Sequence, residues 1–282
     1  MSLNEIIDRD LNKLSTFFLD SLDYKVNKNN NSFLQLMNLK HWFIADKSRK
    51  ISFAKDFRLP LEYEDGFKIL LNKCKSGTGG IYQHQSRKLF KGNTIDLMLC
   101  DFGIHHLHLG VKEDSNHKRM VQGTADVVFV YVNDDEIFFI KVAGHGEWHL
   151  KNSLEIIHRE RPDLIKHRII RGIKGNSFKD EEILALRSKG YAYFIEIGTV
   201  CYMPEQIWAG KNLVKGLAYF IQLKLKIEQI IERQIKIVCS EQNLSNTDEV
   251  NVKIVDFDFS KFEDFHFELI VNNNMTSYKA QI

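Results

Sequence analysis

Imidazole is the side chain whose charge changes nearest neutral pH, with an unperturbed pKa of about 6.5. A histidine cluster therefore marks where protons can be exchanged with a reacting oxygen or a metal held. Eight of the eleven histidines in this 282-residue chain fall between residues 105 and 167, and three crowd into Gly103-Ile104-His105-His106-Leu107-His108-Leu109-Gly110. Side chains of a strand alternate with period two, which puts His106 and His108 on one face and His105 on the other. A second group, Ala143-Gly144-His145-Gly146-Glu147-Trp148-His149, follows an apolar run. Its paired glycines free the backbone and set His145 at a strand end, where site residues commonly sit.

Three chemistries fit these residues. The first is general acid–base catalysis by the clustered imidazoles, with His106 and His108 on one strand face and His145 and His149 in the second group, which could meet across the sheet. The second is a metal-dependent hydrolase, in which His106 and His108 at strand spacing join His145 and His149, and Asp126 or Glu147 adds a carboxylate. Gly144 and Gly146 argue against a helix there, so the His-Glu-x-x-His logic of zinc proteases does not apply, and no cofactor is expected. The third reading is structural: histidines in a buried strand hydrogen-bond their neighbours, as is expected of His41, His84 and His266. The protein is then a binding module for nucleic acid or another protein.

The formal net charge of +2 predicts no partner, but its distribution is uneven. Residues 151–179 carry a local net charge of +5, and residues 240–282 one of −5. The basic stretch directly follows the histidines, and His158, Arg159, Arg161, Lys166, Arg168 and Arg171 are candidate RNA contacts through phosphate. The bland alternative is a pair of solvated helix faces. Glu155, His158 and Arg159 can reach the same cleft, and Trp148 either stacks on a base or fills the core. The acidic tail is expected to pack on the basic stretch and restrain RNA binding.

The elements that position these groups read as α+β, an antiparallel sheet with packed helices. Helices are expected at Leu3–Phe18, from Pro60 to about Lys75, from a Ser153 cap to Glu160 with a restart at Pro162, at Asp180–Lys189, and at Lys211–Ile237. Ser32–Ile44 and Ile51–Phe57 read as a hairpin. Asp126–Val132 and Glu136–Val142 read as a second hairpin turning at Asn133-Asp134-Asp135. Ile104–Leu109 and Tyr191–Tyr202 are strand regions, and Val250–Phe257 and Phe262–Val271 close the chain. The loop Ser76-Gly77-Thr78-Gly79-Gly80 ends a helix where a phosphate loop would begin one, and is read as a cap. Three regions result: an N-terminal α+β region over 1–100, a histidine-rich core over 101–190, and a C-terminal strand, long helix and hairpin over 191–282, all within reach of one compact domain.

With 44% apolar and 27% charged residues the chain can bury a sizeable core. No apolar run approaches the ~20 residues of a membrane-spanning helix, so a cytoplasmic protein without a membrane partner is expected. Cys74, Cys100, Cys201 and Cys239 are far apart and are expected to remain reduced.

Taken together, residues 105–149 resemble the core of RelE-superfamily ribonuclease toxins, in the branch patterned Asp-His-x-Leu-x-Gly, basic segment, aspartate before an apolar strand, turn, second strand, Gly-Thr-His-Ser-x-Leu-Phe. His105-His106-Leu107-His108-Leu109-Gly110 stands at the first element, Asp126-Val127-Val128-Phe129-Val130-Tyr131 at the aspartate and strand, and Gly144-His145-Gly146-Glu147-Trp148 at the closing motif. The resemblance implies a RelE-like hairpin core with N- and C-terminal extensions, and metal-independent RNA cleavage by 2′-hydroxyl attack. It implies His106 and His145 as the acid–base pair, Asp126 tuning one of them, and Lys118 or Arg119 offsetting charge on the phosphorane. It also implies toxin or phage-defence biology in a bacterial cell, with an antitoxin or a second copy as partner. Gln122 stands four residues before the aspartate where the family has a histidine, with His108 or His117 in reserve.

Overall fold

The computed structural model describes residues 1–92, 96–149, 151–173, 178–189, 191, 193–205, 208–209, 212–244, 250–259 and 261–282. The chain divides into two units, the first made of Met1–His41, Phe90–Asn93 and Asn212–Ile282, the second of Trp42–Leu89 and Thr94–Lys211. The division is not the sequential one expected: the two ends of the chain share a unit, and the histidine-rich core lies wholly inside the other.

In the first unit, α1 (Leu3–Ser21) opens with a capping box in which Ser2 and Glu5 exchange side-chain and backbone hydrogen bonds. It buries Ile7, Leu11 and Leu19, and Asp10 accepts the Ile254 N–H at 3.0 Å. Residues 32–44, expected as a strand, instead form α2 (Ser32–Trp42). Asn31 caps it by accepting the Leu34 N–H, and the helix buries Phe33, Leu36, Met37 and Leu39 together with Ser32, Gln35 and Asn38. Burial around most of its circumference erases the helical period that would have identified it. The long helix, Val214–Glu241, was expected. The closing strands are three instead of two: Val250–Phe257, Asp264–Val271 and Asn274–Gln281. The last turn uses Asn272 and Asn273 at φ 49° and 66°, the left-handed pair a tight hairpin needs, and the third strand is mostly exposed, so it shows no apolar alternation.

The second unit contains β1 (Lys50–Phe53), α3 (Glu64–Ser76), α4 (Leu97–Phe102), β2 (Ile104–His108), the hairpin β3 (Glu113–Asp114) and β4 (His117–Val121), β5 (Asp126–Val132), β6 (Glu136–Gly144), α5 (Asn152–Glu160), α6 (Pro162–Ile165), β7 (Ile169–Ile170), α7 (Asp180–Ser188), β8 (Ile195–Ile197) and β9 (Val200–Tyr202). A four-stranded sheet in the order β1-β6-β5-β2 is its centre, antiparallel except that β1 runs parallel to β6. The expected pairing of residues 51–57 with α2 is thus replaced by pairing with β6. Both faces of the sheet are buried. Ile104, Val127, Phe129, Tyr131, Phe138 and Ile140 pack with α5, α6 and α7 on one side, and Leu107, Val128, Val130, Ile137 and Phe139 pack with α3 on the other. Gly66 lets α3 approach closely, since a Cβ there would lie 1.8 Å from the Leu109 carbonyl oxygen.

Gly77 ends α3 in the left-handed conformation, φ 68°, as read from the glycine loop. Ser153, expected as the cap of α5, lies inside the helix with its hydroxyl buried and Lys151 at the cap position. All four cysteines are free. No described helix is long and apolar enough to cross a membrane.

Candidate active site

The register of the sheet sets the histidines. On β2, His106 pairs with Phe129 and His108 with Val127, so both share the face of the Val127, Phe129 and Tyr131 cluster. His105 pairs with Val130 and takes the other face, as the alternation predicts. At the end of β6, His145 opens a 3-10 turn running to His149, and its N–H donates to the Ala125 carbonyl at 3.0 Å. This brings the His145 ring to 5.3 Å from both the His106 and the His108 ring centroids, stacked on His108 at 24° and edge-on to His106. The His106 and His108 centroids are 6.3 Å apart.

Each ring has a different environment. Neither ring nitrogen of His106 is exposed and neither has a hydrogen-bond partner; Asp96 Oδ2 stands 3.5 Å from its Nδ1, an ion-pair distance. Buried polar atoms left without partners are rare and concentrate where a ligand or a water completes them. Asp96 is held by capping α4, its Oδ1 accepting the Leu99 N–H at 3.0 Å. His108 is buried and accepts the Thr124 N–H at Nδ1 (3.1 Å), which fixes its neutral form with the proton on Nε2. Burial first, then the neighbouring His106, His145 and Arg87, push its pKa down to about 4. His145 is exposed, and its pKa is also lowered, by desolvation ahead of His106 and Lys88. Behind the cluster, His84 Nδ1 donates to the His108 carbonyl at 2.8 Å, and Gln85 Nε2 lies 3.3 Å from His105 Nδ1. Burial takes both of these rings to about 4.

Arg87 acts on the His108 ring and Lys88 on that of His145. Arg87 binds the buried Asp114 through Nη1 at 2.7 Å, and a Cβ on Gly123 would touch both Arg87 Nη2 (3.5 Å) and His108 Cε1 (3.7 Å), so the guanidinium borders that ring. Lys88 is exposed in the same short 3-10 turn. Lys141 of β6 lies level with His106 across Phe129, its Nζ 3.0 Å from Glu147 Oε2. Among the described residues, no group of three or more His, Cys, Asp or Glu could hold a metal ion.

Of the residues expected at the site, His106, His108 and His145 come together. Asp126 pairs with Gly144 at the end of the sheet, with the parity of Val128 and Val130, and its Oδ1 and Glu147 Oε1 lie 4.0 and 3.9 Å from the point a Cβ on Gly144 would take. Asp96 stands where a tuning carboxylate was expected. The side chains of Trp148 and His149 lie outside the described residues. Lys118 is exposed and Arg119 half-buried on β4. Gly144 and Gly146 adopt no positive φ, and neither would clash with a Cβ, so this conformation of the turn does not depend on glycine.

Several members of the basic segment after the histidines have partners within the fold. Arg168 is buried and donates to the carbonyls of Phe102, Asp101 and Met203 at 2.5–2.9 Å. Arg161 forks onto Glu136 at 2.6 and 2.8 Å and also binds Asp163, while Glu136 takes a further hydrogen bond from Ser52. His158 Nδ1 meets the Tyr202 hydroxyl at 2.7 Å, and Arg159 pairs with Glu160 at 2.8 Å. Lys166 and Arg171 are the exposed members of the set that hold no such partner role in this network.

Asp96, Arg87, Lys88 and Lys141 escaped the sequence reading. Asp96 before Leu97-Met98-Leu99 carries a helix-cap signal, which locates a helix but not a histidine partner. No family model, curated protein or solved structure matches the chain.

Proposed function

We propose that the protein is a metal-independent endoribonuclease whose acid–base chemistry is centred on His145 and His106. The observation that carries this reading is the convergence of His106, His108 and His145 on one sheet face, with ring centroids 5.3–6.3 Å apart beside exposed cations. His145, open to solvent and with a lowered pKa, is neutral at pH 7 and takes the proton of a ribose 2′-hydroxyl. The 2′-oxygen attacks the adjacent phosphorus, the bond to the 5′-oxygen breaks, and a 2′,3′-cyclic phosphate remains on the upstream nucleotide. His106, backed by Asp96, supplies the proton to the departing 5′-oxygen. Its nitrogens are shielded from solvent, so proton delivery requires the site to open as substrate enters. His108, held neutral, buttresses His145 by stacking, and Arg87 and Lys88 offset charge on the phosphorane.

The likeness of residues 105–149 to RelE-superfamily toxins adds support for RNA as substrate and for a toxin or defence role inside a bacterial cell, with an antitoxin or a second copy as partner. Incubating wild type, His106→Ala and His145→Ala with RNA, with and without EDTA, tests the reading. Cleavage that resists EDTA and falls by about 10²–10⁴-fold in each variant is expected. Cleavage abolished by EDTA would replace this mechanism with a metal-dependent one, and RNA left intact by the wild type would leave a binding role.

A further inference from the structure

The β5–β6 ladder is not regular. Phe129 pairs with Lys141 but Val130 pairs with Phe139, leaving Ile140 as an extra residue in β6. The effect is visible in the packing. Strict alternation would put Phe139 and Ala143 on one face, yet Phe139 packs with Leu107 and Val128, and Ala143 packs in the opposite cluster with Val127 and Phe129. The bulge therefore reverses the parity of β6 at its histidine end. Without it Lys141 would enter the apolar cluster on the far side of the sheet; with it, Lys141 joins the face of His106. Bulges recur next to active sites, where the extra residue re-aims the side chains beyond it.

Lys141 lies in the cross-strand row His106, Phe129, Lys141. Its Nζ sits 5.5 Å from the Phe129 ring centroid, so the side chain reaches across β5 toward β2. The ammonium pairs with Glu147, two residues past His145, and is mostly buried, with 17% of the side chain exposed against 43% for Glu147. A shielded cation whose counter-ion is on the solvent side is a cation that an incoming anion can take over. We propose that Lys141 is a further phosphate-binding cation of the histidine site, additional to Arg87 and Lys88, held by Glu147 until an anion displaces that carboxylate. The inference rests on the phosphodiester reading above for its ligand, and names a further residue that reads the phosphate.

The test uses the full chain and inorganic phosphate as probe, with the Kd followed through the His145 ring resonances by NMR in wild type, Lys141→Met, Lys141→Arg and Glu147→Gln. Lys141→Met should weaken phosphate binding by roughly tenfold or more, the loss of a hydrogen bond to a charged group. Lys141→Arg should retain most of it, and Glu147→Gln should tighten it several-fold by removing the competitor. A mere clamp on the His145 turn predicts instead that Lys141→Met and Glu147→Gln weaken binding together, and that result overturns the proposal. So does unchanged binding in Lys141→Met, or a wild type that binds no phosphate. Should Lys141→Met not fold, the direction of change in Glu147→Gln decides alone: tightening supports the proposal, and no change or weakening ends it. Phosphate binding that depends on Lys141 in a protein that leaves RNA intact would remove the ribonuclease reading and keep Lys141. RNA cleavage by Lys141→Met with wild-type kcat and KM would do the reverse.

Discussion

Arg168 and Arg87 are the same side chain in the same unit, put to opposite uses. Arg168 is 1% exposed, and its Nε and both terminal nitrogens donate to backbone carbonyls of Phe102, Asp101 and Met203, with Glu205 3.6 Å away. Arg87 is 47% exposed and gives Nη1 to Asp114, while its Nη2 and the His108 ring both lie within 4 Å of the point a Cβ on Gly123 would take. A guanidinium that ties three chain segments together cannot also meet a phosphate. One that is anchored at one nitrogen and open at another can. Local positive charge in a sequence thus counts for little until the donors have been assigned, and in the denser run Arg168 and Arg161 have theirs committed to the fold.

The largest effect expected from this contrast is on folding. Arg168→Ala leaves buried carbonyls without donors and should lower the unfolding free energy by roughly 3–5 kcal/mol, read from the urea midpoint at pH 7. A variant as stable as wild type but weaker on RNA would reverse the comparison and restore Arg168 to the binding surface. Arg161 makes the same contrast in a weaker form. Its fork holds the Glu136 carboxyl below its ordinary range, so this pair stabilises the fold above about pH 4.5 and the contribution is lost as pH falls through the depressed value. Arg161→Met should flatten that acid limb.

The histidines give the next effect. His84, His105 and His108 are each lowered by burial to about 4 from 6.5, so the unfolded chain takes up protons before the folded one does. The penalty is absent above about pH 6.5, grows as pH falls toward about 4, and levels off below; each ring adds a slope of about 1.4 kcal/mol per pH unit within that window. Unfolding free energies measured between pH 7 and 4 should fall steeply. His105→Gln, on the face away from the site, should remove one ring's share of the slope while leaving RNA cleavage intact. Loss of cleavage in that variant would show that the two faces of β2 do not act separately.

What the sequence allowed to be read follows from the same physics. The pairing of β5 with β6 was legible because two runs of β-branched and aromatic residues flank the Asn133-Asp134-Asp135 turn, and the opposite faces of His105 and His106 follow from the period-two geometry of any strand. The α2 helix and the third C-terminal strand were not legible, the first because it is buried almost all round, the second because it is nearly all exposed; both lack a periodic contrast. Asp96 was visible as a cap but not as a neighbour of His106, since a cap is a local signal and that contact is not. Lys141 lay beyond reach altogether. Its face is set by the bulge at Ile140, and counting along β6 without it assigns Lys141 to the wrong side. Arg168 misled because arginine is seldom fully buried, so exposure was the natural default.

The smallest expected effect discriminates most finely between the two basic regions. Lys88 is exposed beside His145, and Lys166 and Arg171 are exposed in the segment after the histidines. A phosphate contact releases counter-ions, so removing one lowers the slope of log K against log salt by about 1, whereas removing a solvated charge that touches no phosphate leaves the slope alone. Lys88→Ala should therefore lose about one unit of slope in RNA binding, and the double variant Lys166→Ala, Arg171→Ala should lose none. All three substitutions are at exposed positions and should leave stability within about 0.5 kcal/mol, so the binding slopes can be compared without correction for folding. If the double variant loses slope and Lys88→Ala does not, RNA follows the segment after the histidines, and the cations around His145 serve only to hold its pKa down.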